Sequence, residues 1–576
     1  GYANQWRSQV YSNLRITQQL YKGLSITGMF SFDTYNYTSN RFTKSPNTYH
    51  ATGRDANGNL IYEQTRQGTE NLAYSLSAKG DRTIYLEAAL NYKNTFGRHD
   101  VSGMLLFNQS DEINTKATNV EEALPYRFRG LAGRFTYGFD DRYFAEFNFG
   151  YNGSENFTPK NRYGFFPSVG LGWVISNESF FEPLTNVIQY LKVRGTWGQV
   201  GNSQISGRRF AYLATVTDSS STSYTFGKNM DQNYGTTAID EYAVDVTWEV
   251  ADKTDIGVDM RLLNNKLNLQ FDYFKESREG IYLRRSSIPS YVGMINNPYG
   301  NIGKVENKGF ELSVNYANSW GGDWSLSLMG NYSFNRNKVL EDDSTVVYPW
   351  QNTIGNKVGQ RFGLVALGLF ESYGEIAASP VQTGDTRPGD IKYKDINGDG
   401  KIDEYDKVPI GWGSVPEIMY GFGFSLGWKN LSLTAMFQGA AHVDAMLSGE
   451  GVLPFSQGSS RGNLLSNITD RWTEENPRQN AFYPRLSIGN INMNYEESTW
   501  WLKDTDYLRL KNIELSYRLP DHWMKRIHLD NARIFIQGVN LLTFSSFKIW
   551  DVELGDGRGA RYPNIASVSL GVNFNF

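Results

Sequence analysis

The chain has 576 residues, a formal net charge of −4 and no cysteine. That balance gives no reason to propose a nucleic-acid partner, and the lack of cysteine removes disulfides, thiolate metal sites and cysteine nucleophiles together. Despite 36 Tyr, 34 Phe, 14 Trp and 57 Gly, mean hydropathy is −0.48, and no run approaches the ~18 apolar residues of a transmembrane helix, which leaves open a barrel of half-polar strands.

The first residues, GYANQWRSQV, carry no basic n-region, apolar h-region or initial Met, so a mature or truncated piece is expected. From there a period-two alternation recurs along the chain. In FAEFNFGYN, Ala145, Phe147, Phe149 and Tyr151 share a face opposite Glu146, Asn148 and Asn152. Trp324, Leu326, Leu328, Tyr332 and Phe334 oppose Ser325, Ser327, Asn331, Ser333 and Asn335. Phe422, Phe424, Leu426 and Trp428 are followed, after a turn at Lys429 and Asn430, by Leu431, Leu433, Ala435 and Phe437. The closing stretch ASVSLGVNFNF sets Val568, Leu570, Val572, Phe574 and Phe576 against Ser567, Ser569, Gly571, Asn573 and Asn575. Roughly 17 such segments are predicted, starting near residues 9, 24, 82, 99, 129, 142, 163, 187, 247, 266, 303, 323, 416, 431, 504, 531 and 566.

The links between segments alternate in length. Short ones fall near residues 22, 97, 140, 263, 321 and 429, with medium ones after 175 and 519. Long ones occupy 44–81, 112–128, 202–246, 285–302, 341–415, 444–503 and 546–565, and the shorter 156–162 keeps the same phase. A soluble sandwich has no reason for this alternation, though a secreted enzyme or adhesin built as a β-sandwich or propeller stays as a third reading. Outer-membrane barrels have such a reason, with short periplasmic turns and long extracellular loops. The expected fold is therefore all-β, a transmembrane antiparallel β-barrel of a Gram-negative outer membrane, bathed in its lipid. Its last strand runs inward to place Phe576 at the periplasmic interface. Residues 1–8 then lie outside, and an odd strand total requires at least one strand from elsewhere.

One local motif carries chemistry. Asp395, Asn397, Asp399, Lys401, Asp403 and Asp406 fall at positions 1, 3, 5, 7, 9 and 12 of an EF-hand-type calcium loop, with Gly400 at 6 for the sharp turn. Lys401 would contribute its main-chain carbonyl. Hard Ca²⁺ takes six to eight oxygens, and a wrapped loop brings these together; a turn-rich surface loop collects the same residues for backbone reasons. A structural Ca²⁺ pinning the 341–415 loop is the expectation.

Enzyme signatures are thin. His50, His99, His442, His522 and His528 are scattered, and no HExxH, GxSxG or GxxxxGK[ST] pattern occurs. The adjacent pairs Asp342–Asp343 and Glu474–Glu475 read more simply as solvated loop charges than as acid/base couples. Most strand aromatics fit interfacial girdles. Tyr291, Trp350, Phe370, Trp412, Phe455 and Trp550 are the loop aromatics better placed for ligand or partner.

Several segments resemble the SusC-like branch of TonB-dependent outer-membrane transporters of the Bacteroidetes. They are NFTPKNRYGFFPSVGLGW from Asn156, LKVRGTWGQVGN from Leu191, TWE at Thr247, NIGKVENKGFEL from Asn301, PGDIKYKDINGDGKIDEYD from Pro388, DYLRLKNIELSYRLP from Asp506, NLLTF from Asn540 and Tyr562-Pro563. The resemblance is tightest from residue 156 onward. It implies a barrel of about 22 strands around a plug, of which residues 1–576 would be the C-terminal portion, with about 5 strands, the plug and the N-terminal segments not included. It further implies import of an oligosaccharide or peptide, a SusD-like surface lipoprotein as lid, TonB-ExbB-ExbD acting through the plug, and no enzymatic activity. A lid-less siderophore importer or passive porin is the alternative.

Overall fold

The computed structural model describes residues 1–118, 120–456, 464–526 and 529–575. Seventeen long strands form one sheet. They are β1 (Tyr2–Tyr21), β2 (Leu24–Thr43), β3 (Ala73–Phe96), β4 (His99–Asn114), β5 (Tyr126–Phe139), β6 (Tyr143–Ser154), β7 (Tyr163–Val174), β8 (Ile188–Asn202) and β9 (Glu249–Leu262), then β10 (Leu267–Arg284), β11 (Tyr299–Trp320), β12 (Trp324–Glu341), β13 (Ile418–Trp428), β14 (Leu431–Ala441), β15 (Tyr507–Arg518), β16 (Asn531–Ser545) and β17 (Ser567–Asn575). Each pairs antiparallel with the next in sequence, from Tyr2↔Phe42 to Asn531↔Asn575. The 17 predicted segments correspond one to one. Among the described residues β1 and β17 are not paired with each other, so the wall is open between them, and β1 is exposed along its whole length.

The turns on one rim follow local chemistry. Asp140 and Asp141 both adopt positive φ, 54° and 53°, a left-handed pair whose twist suits a tight hairpin, here the three residues between Phe139 and Tyr143. On the other rim the long links are structured. The 44–72 link holds a hairpin of Thr48–Arg54 and Leu60–Arg66, and the 203–248 link one of Thr215–Phe226 and Gln232–Glu241. β3 starts at Ala73, earlier than the predicted 82, because residues 73–81 pair with β2 from Thr43 to Tyr35 and extend the strand toward the long-loop rim.

Alternation sorts the two faces of the wall. Outward rings stack in belts: near the short turns Phe139, Tyr143 and Trp173 form a run at 6.5 and 6.4 Å, and Trp324 lies over Trp428 at 5.8 Å. Such rings suit the membrane interface. A Cβ on Gly571 would collide with the Phe535 ring across the strand, so glycine admits that ring flat against the backbone. Phe576 and His528 lie outside the described residues.

The apolar core is not in the wall, whose faces meet lipid and lumen. It lies in the loops 342–417, 442–506 and 546–566, where Leu364, Ile391, Tyr393, Leu447, Tyr483 and Trp501 are almost fully buried. A smaller cluster of Phe157, Phe166, Ile205, Val246, Trp248 and Tyr282 sits over the top of β7–β10.

Candidate functional site

Among the described residues the three long loops carry 16 mutually packed buried residues and so behave as a small domain seated on one rim. Its polar centre is Asp390, 1% exposed. Arg485 donates to both its oxygens at 2.9 Å, Asn494 donates at 2.8 Å, Asn492 at 3.2 Å and the Arg387 amide at 2.8 Å. A buried carboxylate persists only when its lone pairs are used in this way. Asn494 accepts from the Ile391 amide at 2.9 Å, tying the 388–394 segment to 485–494.

A second buried acid, Asp444, accepts from Arg361 Nε at 3.1 Å and from the amides of Trp412 and Gly413. Arg361 continues to Asp556 through both terminal nitrogens, at 3.0 and 2.8 Å. These three residues therefore fasten all three loops together. Below them, where β12, β13 and β14 leave the wall, Glu417 takes Arg336 at 2.7 Å, His442 at 3.2 Å and Lys357 at 3.6 Å. Trp412 stacks on His442 with centroids 4.0 Å apart. On the opposite flank Arg209 donates to the carbonyls of Glu121, Leu124 and Pro125 and to Glu155, each at 2.7 Å, joining the 203–248 link to the 115–125 link and to the end of β6.

The lumenal face is polar. Arg194 pairs with Asp255 at 3.0 Å, Asp259 at 3.3 Å and Asp272, across three strands. A Cβ on Gly257 would meet the guanidinium, so glycine leaves room for that fan of contacts. An open cavity of about 940 Å³ runs along the same face past Ser102, Thr136, Glu146, Asn148, Ser168 and Lys192.

The six residues of the predicted calcium loop lie together. Asp395 accepts from the Gly398 amide at 2.7 Å and the Gly400 amide at 2.9 Å; Asn397 accepts from Asp399, and Asp399 from Lys401, each at 2.9 Å. Asp406 reaches back to the Ile396 and Asp403 amides at 2.8 and 2.9 Å, closing the wrap, while Asp403 caps the turn through the Tyr405 amide at 2.8 Å. Among the described residues no three His, Cys, Asp or Glu side chains form a metal-holding group by themselves. A cation would therefore also need Asn397 and the Lys401 carbonyl. All of these donors are oxygens, which fits a hard cation.

Of the predicted loop aromatics, Phe370 is buried, Trp550 packs edge-on against Phe547 at 5.3 Å, and Trp350 stacks on Tyr348 at 4.6 Å and donates to the Tyr405 carbonyl. Phe455 is half-buried. Tyr291, 88% exposed, and Trp412 retain open ring surface. The described histidines stay apart: His50 lies by Glu63, His99 bonds Tyr137, and His522 contacts Trp523. Asp342 accepts from Ser344 and Thr353, and Asp343 from Ser287, as loop tethers. Asp390, Asp444, Arg361 and Glu417 were not legible as site residues, since their partners lie far away in sequence.

The family model described as TonB dependent receptor-like, beta-barrel matches residues 1–541. The chain belongs to this family. Its wall is accordingly that of an outer-membrane barrel, with the loop domain on the extracellular rim. Among curated relatives, TonB-dependent receptor P3 of Formosa agariphila is 27% identical over 96% of this chain and 54% of the relative. TonB-dependent receptor SusC of Bacteroides thetaiotaomicron is 27% identical over 77% of this chain and 43% of the relative. The chain thus spans about half the length of the curated relatives it matches. Among solved structures, that of the RagAB peptide transporter superposes with a TM-score of 0.74 at 20% identity, covering 100% of this chain and 62% of the other, which establishes the shared fold.

Proposed function

We propose that this chain is the barrel part of a SusC-like TonB-dependent transporter that imports an oligosaccharide or a peptide across the outer membrane. A SusD-like lipoprotein would close over the loops, and TonB-ExbB-ExbD would act through a plug that occupies the polar lumen. Further strands of the same barrel would fill the gap between β1 and β17. Both edges run inward, so an odd number of antiparallel strands completes the wall.

The observation that carries this reading is the fusion of the long loops into one domain by Asp390, Asp444 and Arg361. Loops that only floated over a pore would not need shared buried ion pairs; a surface that a lid must meet repeatedly does. The work done is binding and gating, with no covalent step. The test is gentle solubilisation of membranes carrying the full-length protein. A SusD-like lipoprotein is expected to co-purify, with oligosaccharide or peptide detected by native mass spectrometry. Recovery of the barrel without the lipoprotein from intact, transport-competent membranes would overturn the lidded reading.

For the Asp395–Asp406 loop the proposed ligand is one Ca²⁺ held by Asp395, Asn397, Asp399, Asp406 and the Lys401 carbonyl, with Asp403 contributing at the rim. Its role would be structural, since Trp350 and Gln351 donate to the carbonyls of Tyr405 and Glu404 and so couple the loop to the start of the 342–417 segment.

A further inference from the structure

The outward face of β10–β12 carries a charge pattern that neither transport nor folding explains. Outward residues along β10 run Leu267, Leu269, Phe271, Tyr273, then Lys275. In register with them are Phe310 and Lys308 on β11, and Phe334 and Arg336 on β12. Lys275, Lys308 and Arg336 thus stand directly opposite one another on three neighbouring strands. They lie one outward position beyond a belt in which Phe310 meets Phe334 at 5.9 Å and Phe271 at 6.1 Å. The next outward row is Ser277, Glu306 and Lys338.

Like charges directly opposite on a sheet are destabilising. Here the compensation within the chain is incomplete. Arg336 turns to the buried Glu417. Lys275 and Lys308 share the single carboxylate of Glu306, at 2.8 and 3.5 Å, with their side chains half exposed, and exposed Lys338 has no ion-pair partner among the described residues. The row lies on the long-loop side of the rings, about midway along β10 and β11, at the outer edge of the apolar band. A cation on the lipid face costs ~2–4 kcal/mol at mid-membrane and ~0–1 near the interface, so this is a depth at which such a row is tolerated.

We propose that Lys275, Lys308 and Lys338 form a docking site for the phosphate of an outer-leaflet lipid headgroup, with the lipid's chains lying against Tyr273, Phe310 and Phe334. Three neighbouring strands span about 10 Å, close enough for three flexible ammonium groups to converge on one phosphate. The aromatic belt directly beneath commits the occupant to a lipid, because a soluble anion would have no use for it. This inference rests on the membrane orientation of the barrel and not on the identity of the imported nutrient.

The test uses the full-length transporter with its native partner, purified in mild detergent, as wild type and as Lys275→Gln/Lys308→Gln/Lys338→Gln. Folding is checked by heat-modifiable gel mobility, and retained lipid phosphate by phosphorus assay and native mass spectrometry. A lysine beside an anionic surface contributes a factor of about five, so retention is expected to fall roughly tenfold or more in the triple variant, with lipoprotein co-purification unchanged. Equal retention in a folded variant would overturn the proposal. So would inorganic phosphate binding to the three lysines of delipidated protein while re-added phosphorylated lipid does not. Should the triple variant fail to assemble, Lys308→Gln/Lys338→Gln carries the same comparison, and undiminished retention in that double variant would equally count against the site.

Discussion

Arg361 and Asp556 stand 195 residues apart in sequence and meet through two parallel hydrogen bonds of 3.0 and 2.8 Å. The same guanidinium reaches buried Asp444, and Asp556 also accepts from the Met446 amide at 2.9 Å. One side chain therefore holds three extracellular loops in a single arrangement. Bidentate geometry of this kind specifies orientation as well as energy.

Arg361→Ala is expected to leave buried Asp444 with only the Trp412 and Gly413 amides and no ion-pair partner, at a cost of up to about 3–5 kcal/mol to the loop domain. Because the wall is held by its own ladder, the lesion should be confined to the loops. Limited proteolysis should cut within 342–417 and 442–506 while heat-modifiable mobility stays normal. Arg361→Lys should rescue only partly, since an ammonium cannot make the paired contact.

Acidification should loosen the same region through Glu417. Burial pushes this carboxyl up, but the hydrogen bonds from Arg336 and His442, with the charges of Lys357 and Arg336, outweigh it and hold the group below its ordinary 4.5. A folded value below the unfolded one stabilises above the unfolded value, and that contribution is lost as pH falls through the folded value. Protease sensitivity of the 342–417 loop is thus expected to rise below about pH 4.5. In Glu417→Gln it should already be high at neutral pH, with a smaller further increase on acidification.

Removing Asp399, a ligand in the proposed calcium site, should separate metal from fold. In the wild type, Ca²⁺ is expected to raise the temperature at which the loop domain becomes protease-sensitive, and chelation to lower it. Asp399→Ala should abolish the difference between the two conditions. An identical response in wild type and variant would count against a bound ion.

Gly439→Val tests the fit of rings to backbone. A Cβ there would strike Tyr420, whose hydroxyl donates to the Tyr507 carbonyl at 3.2 Å. Overpacking of this sort costs about 1–3 kcal/mol. A reduced yield of heat-modifiable barrel is the measurement, with Gly439→Ala expected to be milder.

The wall was open to reading from the chain because its rule is local. An outward Phe310 next to an inward Glu311 declares a strand without reference to anything else, and in 17 segments that period recurs. The wrap of Asp395–Asp406 was also open to reading, because the side-chain-to-amide bonds that close it, such as Asp406 to the Ile396 amide, join residues about ten apart or fewer. Reading failed at the start of β3, where Tyr74, Leu76 and Ala78 alternate with Ser75, Ser77 and Lys79 inside a stretch read as a loop, and at the two loop hairpins, whose strands pair outside the wall.

By itself the sequence determined the strand number, the direction of each strand and the side on which every long loop lies, since alternation and link length are properties of neighbouring residues. Only the tertiary structure decided which loops become one domain and which charges are shared. Asp390 with Arg485, Asp444 with Arg361, and the facing Lys275 and Lys308 are brought together by register and packing between distant segments. A buried charge persists only once those partners have arrived.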